Sequence, residues 1–199
     1  YADQIAEYFS DDPMVIRSKY SDTAVGENVS MVECGNKVYC FGWNSTQIYD
    51  TAANTWTSAP VMLSLRSEYS AVENGGKIYL VGGIIGNEVT DKVDIFDTET
   101  GTWSVGQEIP FGFVDGEAVS IGDNIYCFGG YDDVNHSVKS RDTYIYDTVN
   151  QTWSYDGYLP NGGVYTGVAV GSKIYCTAKY SGDGNYTYAV SYTHLTLPT

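Results

Sequence analysis

The sequence predicts an all-β chain built from repeated four-stranded antiparallel sheets, stacked as an incomplete, open arc of about four propeller blades. Three observations lead there. A Val/Gly/Tyr block recurs four times across the 199 residues, with its tyrosines 40, 47 and 49 residues apart. A second block, aromatic-Asp-Thr followed by Trp, trails three of the four. The composition is rich in Gly (22) and Tyr (19), which suits turns and pleated strands. Self-similarity near 50 residues with four short strands per period is the sequence signature of a blade, and one blade cannot bury both faces alone.

The first block gives two strands around a tight turn. It reads Val32 to Tyr39 with Gly35, Val72 to Tyr79 with Gly75, Val119 to Tyr126 with Gly122, and Val168 to Tyr175 with Gly171. Each Gly lies four residues before the Tyr, and a β-branched residue precedes the Tyr. The second block gives the third and fourth strands: Tyr49-Asp50-Thr51 to Trp56, Phe96-Asp97-Thr98 to Trp103, and Tyr146-Asp147-Thr148 to Trp153. The Trp stands six after the Asp each time, so the three indoles are expected to be mostly buried at equivalent places. The three aspartates are expected to accept backbone N–H bonds in the turn. Residues 5–9 and 14–16 read as two strands around Asp11-Asp12-Pro13.

These blocks resemble the Kelch-repeat family. Its pattern is a Gly pair closing the second strand, then an aromatic, then a Trp. Gly82-Gly83, Phe96 and Trp103 fit it, as do Gly129-Gly130, Tyr146 and Trp153. Blade one keeps Gly42 but carries Trp43 beside it; blade four has Ala178-Lys179 and no later Trp. No Trp-Asp dipeptide ends a strand, unlike the WD40 pattern. The resemblance spans roughly residues 26–190 and implies a Kelch-type β-propeller. The expected organisation is 1–25, the last hairpin of a preceding blade; blades at 26–66, 67–115 and 116–163; and the start of a further blade at 164–189, the rest of the propeller being missing from this chain. Residues 190–199 (Val-Ser-Tyr-Thr-His-Leu-Thr-Leu-Pro-Thr) resemble one translated frame of a transposon-end sequencing adapter, so a genuine fourth strand is not expected there, while a third strand is expected over 185–189.

Composition narrows the function classes. A net charge of −15, with 10 Lys plus Arg against 25 acids, argues against a nucleic-acid partner and against anionic membranes. No run of 18 apolar residues argues for membrane insertion. Cys40, Cys127 and Cys176 follow the repeat Tyr where blade two has Leu80, a packing position. Repeat-equivalent positions lie too far apart for disulfides, and no C-x2-C pair suits zinc, so no disulfide, metal or other cofactor is expected.

The short turns, first-to-second and third-to-fourth, share one face. The long, variable loops 59–67, 84–91, 108–116, 131–142 and 159–166 share the other, and function on a rigid scaffold sits in such loops. Candidate ligand-binding residues there are Trp43, Arg66, Glu68, Phe111, Phe113, Tyr131, Asp132, Asp133, His136 and Arg141. For the aromatics the alternative is core packing; for the 131–137 loop, a solvated acidic loop; for Arg66, anchoring of its own segment. The leading expectation is a non-catalytic module binding a protein or glycan through the long-loop face. The rival implied by the resemblance is a sugar-acting enzyme of the sialic-acid mutarotase kind, drawing on Arg66, Glu68 or Glu117. A copper radical oxidase needs two histidines, and only His136 lies outside the adapter-like tail. The phrase around Trp56 resembles bacterial, often exported Kelch proteins, so an extracellular or cell-surface setting in a bacterium is expected.

Overall fold

The computed structural model describes the backbone of residues 4–8, 16–20, 29–42, 45–178 and 190–192, and the side chains of 29–42 and 45–177. The described residues form strands and turns with no helix. They fall into two compact units, Tyr1–Leu65 and Arg66–Thr199.

In the first unit β1 (Gln4–Tyr8) and β2 (Ile16–Tyr20) pair as an antiparallel hairpin. The second strand starts at Ile16 and runs on to Tyr20, later than the 14–16 expected, because the ladder runs from Tyr8 opposite Ile16 to Gln4 opposite Tyr20. Strands β3 (Ser30–Cys34), β4 (Lys37–Phe41), β5 (Thr46–Asp50) and β6 (Thr55–Ala59) form one sheet in sequence order.

The second unit repeats that meander. Its first sheet holds β7 (Ser70–Asn74), β8 (Lys77–Val81), β11 (Val93–Asp97) and β12 (Thr102–Val105). Between β8 and β11 a small hairpin, β9 (Ile84–Ile85) with β10 (Glu88–Val89), stands where a plain loop was expected. The Gly86-Asn87 step between Ile85 and Glu88 is the turn signal for it, with Gly86 at φ 65°. The next sheet is β13 (Glu117–Ile121), β14 (Asn124–Phe128), β15 (Asp142–Asp147) and β16 (Thr152–Tyr158). The last comprises β17 (Tyr165–Val170), β18 (Lys173–Ala178) and β19 (Val190–Tyr192). Its third strand therefore falls inside the adapter-like segment, where Val and Tyr favour a strand that pairs along the edge of β18. The expected strand over 185–189 lies outside the described residues.

First strands β7, β13 and β17 pack side by side, and the β7 and β13 sheets then lead away to their fourth strands, β12 and β16. Val81, Val93, Phe113, Ile125, Cys127 and Tyr146 belong to one buried cluster between adjacent sheets. Phe128, Leu159, Tyr165 and Ile174 belong to the next.

The three tryptophans occupy equivalent places but are half-buried rather than mostly buried. Each lies opposite the aromatic of its block (Tyr49, Phe96, Tyr146), with ring centroids 5.2, 4.9 and 4.8 Å apart. The aromatic on the third strand is the buried partner; the indole sits on the outermost strand and covers it from the solvent side.

The Asp-Thr step ties the two hairpins of a sheet together. Oδ1 of Asp50, Asp97 and Asp147 accepts two backbone N–H bonds each, from residues two and three further on, at 2.8–3.1 Å. The following Thr reaches the other turn: Thr51 Oγ1 donates to Asn36 O (2.8 Å), Thr98 Oγ1 to Gly76 O (2.6 Å) and Thr148 Oγ1 to Asp123 O (2.8 Å). Their backbone N–H groups donate to the same three carbonyls.

The Gly pairs close the other end. Gly82 (φ 66°), Gly83 (φ 95°), Gly129 (φ 69°) and Gly130 (φ 83°) are all left-handed. A Cβ on Gly83 would strike Ser67 O, and one on Gly130 would strike Val114 O. Only glycine lets the chain pass this close to the neighbouring segment.

Candidate functional site

The long loops of the second unit converge beside these Gly pairs. Residues Val89–Asp91, Gln107–Gly112 and Asp132 line an open groove of about 600 Å³. Val89, Ile109, Pro110 and Phe111 supply its apolar part, and Asp91, Glu108 and Asp132 its charge; no Lys or Arg lines it. Phe111 is held upright by stacking on Tyr144 (centroids 4.4 Å, planes 21° apart) and by the edge of Phe113 at 5.7 Å. Partial desolvation, with Asp142 and Asp133 nearby, raises the Asp132 carboxyl above its ordinary range despite a hydrogen bond with Ser140.

The remaining candidates take different places. Phe113 is fully buried core, not a contact residue. Arg66 is fully buried as well. It pairs with buried Asp94 at 2.7 Å and donates to the carbonyls of Gly82 (3.1 Å) and Lys92 (2.7 Å). Desolvation lowers its pKa, opposed by Asp94. Its geometry is that of an anchor, and no face of it is open to a ligand. Asp133 is spent on its own loop, accepting from Ser137 N (2.9 Å), Ser137 Oγ (2.7 Å) and Val138 N (2.8 Å). The Ser137 hydroxyl, chiefly, lowers its pKa. Arg141 donates to Leu159 O (2.9 Å) and lies over the Tyr158 ring at 4.8 Å, so it holds the 159–163 turn. Glu117, weighed for a sugar site, accepts from Gly167 N (3.0 Å) in the neighbouring sheet. Trp43 lies outside the described residues.

Glu68 and His136 meet. His136 Nε2 lies 2.8 Å from Glu68 Oε2 and 3.6 Å from Asp115 Oδ2. Tyr131 sets its ring edge-on to His136 at 4.8 Å and is itself fixed by backbone bonds to Val114. Sequence reasoning missed Asp115. The signal was there: Glu68 stands four residues before Val72, and Asp115 four before Val119, so both are the same position of the repeat.

Sheets of four antiparallel strands, joined at their first strands and carrying long loops on one face, define a β-propeller repeat protein. The profile of the KLHDC2/KLHL20/DRC7 Kelch-repeats domain matches residues 17–178, and the chain belongs to the Kelch-repeat family. It is similar to Kelch-like protein 35 of Mus musculus (32% identity over 127 residues, 63% of this chain and 21% of that protein). It is also similar to Kelch-like protein 41b of Danio rerio (27% over 139 residues, 63% and 23%) and to an F-box/kelch-repeat protein of Arabidopsis thaliana (35% over 79 residues, 37% and 20%). The chain thus spans about a fifth of the length of these relatives. Among solved structures it is similar in fold to YjhT, with a TM-score of 0.67, 19% identity, and coverage of 75% of this chain and 57% of that one.

Proposed function

We propose that this chain is a non-catalytic binding module that holds a basic, extended protein segment in the groove between the 84–91, 107–112 and 131–132 loops. In this reading its blades run over 26–66, 67–115, 116–163 and 164–189. The observation that carries the proposal is the lining itself: three carboxylates, no cation, and an upright aromatic over an apolar floor. An acidic rim steers a Lys- or Arg-bearing chain and fixes its register, while Phe111 and Pro110 give an apolar side chain somewhere to bury. The chain's net charge of −15 adds a long-range attraction of the same sign.

The sugar-enzyme alternative needs several free polar groups at one place. Of the three residues that reading draws on, Arg66 and Glu117 are engaged by the scaffold and Glu68 is paired with His136, which favours the binding reading. Panning a random peptide library on the chain separates the two. Enrichment of sequences with two or more basic residues beside an apolar one is expected, and their retention should be lost on Asp91→Lys, Glu108→Lys and Asp132→Lys combined. Binding should weaken with added salt, since rim charges are screened over about 8–10 Å. A flat peptide selection together with saturable retention of a neutral sugar on a glycan array would overturn the proposal.

A further inference from the structure

We propose that Glu68, Asp115 and His136 form a binding site for a divalent first-row transition ion, with coordination positions left for water or a small ligand. The site is separate from the peptide groove and does not rest on it.

The donor set comes first. One ligand atom from each of the three residues lies within 4.8 Å of the others. His136 Nε2 is already 2.8 Å from one carboxylate oxygen and 3.6 Å from the other. Metal–ligand bonds of about 2.0–2.2 Å place ligand atoms roughly 3–3.5 Å apart, so small rotations of these side chains complete the set. A neutral imidazole with two carboxylates carries two negative charges, which a divalent ion cancels. The imidazole nitrogen argues for Zn²⁺, Mn²⁺ or Fe²⁺ over the oxygen-seeking Ca²⁺ and Mg²⁺.

The charge balance around the three points the same way. Among the described residues, no Lys or Arg pairs with Glu68 or Asp115. A hydrogen bond from His136 to Glu68 would account for one carboxylate. It leaves the second carboxylate 3.6 Å from the same nitrogen, and a bound cation offsets the two like charges gathered there. The three side chains are 32%, 45% and 34% exposed in the order Glu68, Asp115 and His136, so an ion can reach them from solvent.

The support is rigid. Asp115 N donates to Glu68 O at 2.9 Å, locking two successive blade starts together. Tyr131 backs the imidazole. All three residues hold left-handed backbone (φ 55°, 51° and 55°), a conformation that costs a residue with a side chain and that aims each group at the same point.

The test uses the full chain, stripped of metal with a chelator and titrated with Zn²⁺ while the histidine ring resonances are followed by NMR. The chain has two histidines, and His194→Gln assigns the signals. The His136 resonances are expected to shift and saturate at one equivalent, and about a tenfold excess of Ca²⁺ should not reverse this. Glu68→Gln with Asp115→Asn should weaken Zn²⁺ by about 100-fold or more. His136 resonances unmoved by Zn²⁺ would overturn the proposal, as would a folded double variant binding within about threefold of the unaltered chain. Should the double variant fail to fold, the resonances of the unaltered chain decide.

Discussion

At the scale of single residues, the largest buried side chain of the second unit is a charged one. Arg66 and Asp94 are 0% and 1% exposed and 2.7 Å apart, and two backbone carbonyls also accept from the guanidinium. Buried pairs of this kind are costly to break, because one charge is left without water or partner. Asp94→Asn should destabilise the chain by about 3–5 kcal/mol in urea unfolding, while Arg66→Met with Asp94→Leu should cost less than the single change. A smaller loss in the single variant than in the double one would show that the pair is not the anchor described. Arg66 was legible as an anchor candidate from its place before a blade, but its partner 28 residues on was not. The cysteines make a second residue-scale case. Burial pushes the Cys40 and Cys176 thiols up to about 11 and raises Cys127 further, whereas Cys34 is only half-buried. Thiolate is the reactive form. A thiol reagent at about pH 8 should therefore label Cys34 first and the other three only on unfolding, as mass spectrometry of the labelled chain would read. Fast labelling of Cys127 in the folded chain would count against its packing position.

At the scale of the element, the repeat works because each recurring step of the period has one physical task. The Gly pair lets the second strand pass the next segment, Asp closes the third turn, and Thr binds that turn to the first. Thr148 does more than its equivalents, since its hydroxyl also donates to Asn74 Oδ1 (3.2 Å), and Asn74 in turn donates to Ser120 Oγ and Gly122 O at 2.6 Å each. Asn74 is 7% exposed and joins the first sheet of the second unit to the next. Thr148→Val keeps the β-branched shape and removes the hydroxyl, so it should cost about 1–3 kcal/mol, most of it from the acceptors left short of a donor. Gly83→Ala should cost at least about 1–3 kcal/mol for its left-handed backbone alone, before the clash with Ser67 O is counted. Hydrogen exchange on β7 and β13 would locate both losses. The Gly and Asp tasks were legible because they recur at fixed offsets. The half-burial of Trp56, Trp103 and Trp153 was not, because a fixed offset says that three residues are equivalent, not which strand is outermost. The position of Asn74 holds Cys34, Ile121 and Val170 in the other repeats, so no period announces the bridge.

At the scale of the whole molecule, charge sets behaviour that no single blade explains, and loops set the site. The groove and the Glu68–Asp115–His136 cluster draw on segments up to 68 residues apart, which periodicity cannot bring together; only the face they share was readable, from loop length. Acid stability, by contrast, follows from groups the sequence did mark. Backbone N–H bonds, chiefly from Thr100 and from Asn150, lower the Asp97 and Asp147 carboxyls from their ordinary value of 3.8. A carboxyl held lower in the folded chain than in the unfolded one contributes stability that is fully present above 3.8 and is lost as pH falls through its folded value. Asp132 is shifted the other way, chiefly by desolvation. Its ionised form is disfavoured by folding, so its contribution improves as pH falls. Asp133 is lowered as the turn carboxyls are, so three lowered carboxyls against one raised make the acid side a net loss. With 25 acids and a pI near 4.2, the chain also gains positive charge below that point, which adds self-repulsion. Asp97→Asn with Asp147→Asn should lower stability at pH 7 and flatten its fall below about pH 4, while Asp132→Asn should raise stability at pH 7 and steepen that fall. Urea midpoints measured from pH 7 down to pH 2.5 give the slopes directly. A turn double variant that matches the unaltered chain at pH 7 and loses stability just as steeply in acid would mean that these carboxylates close the turns without stabilising them.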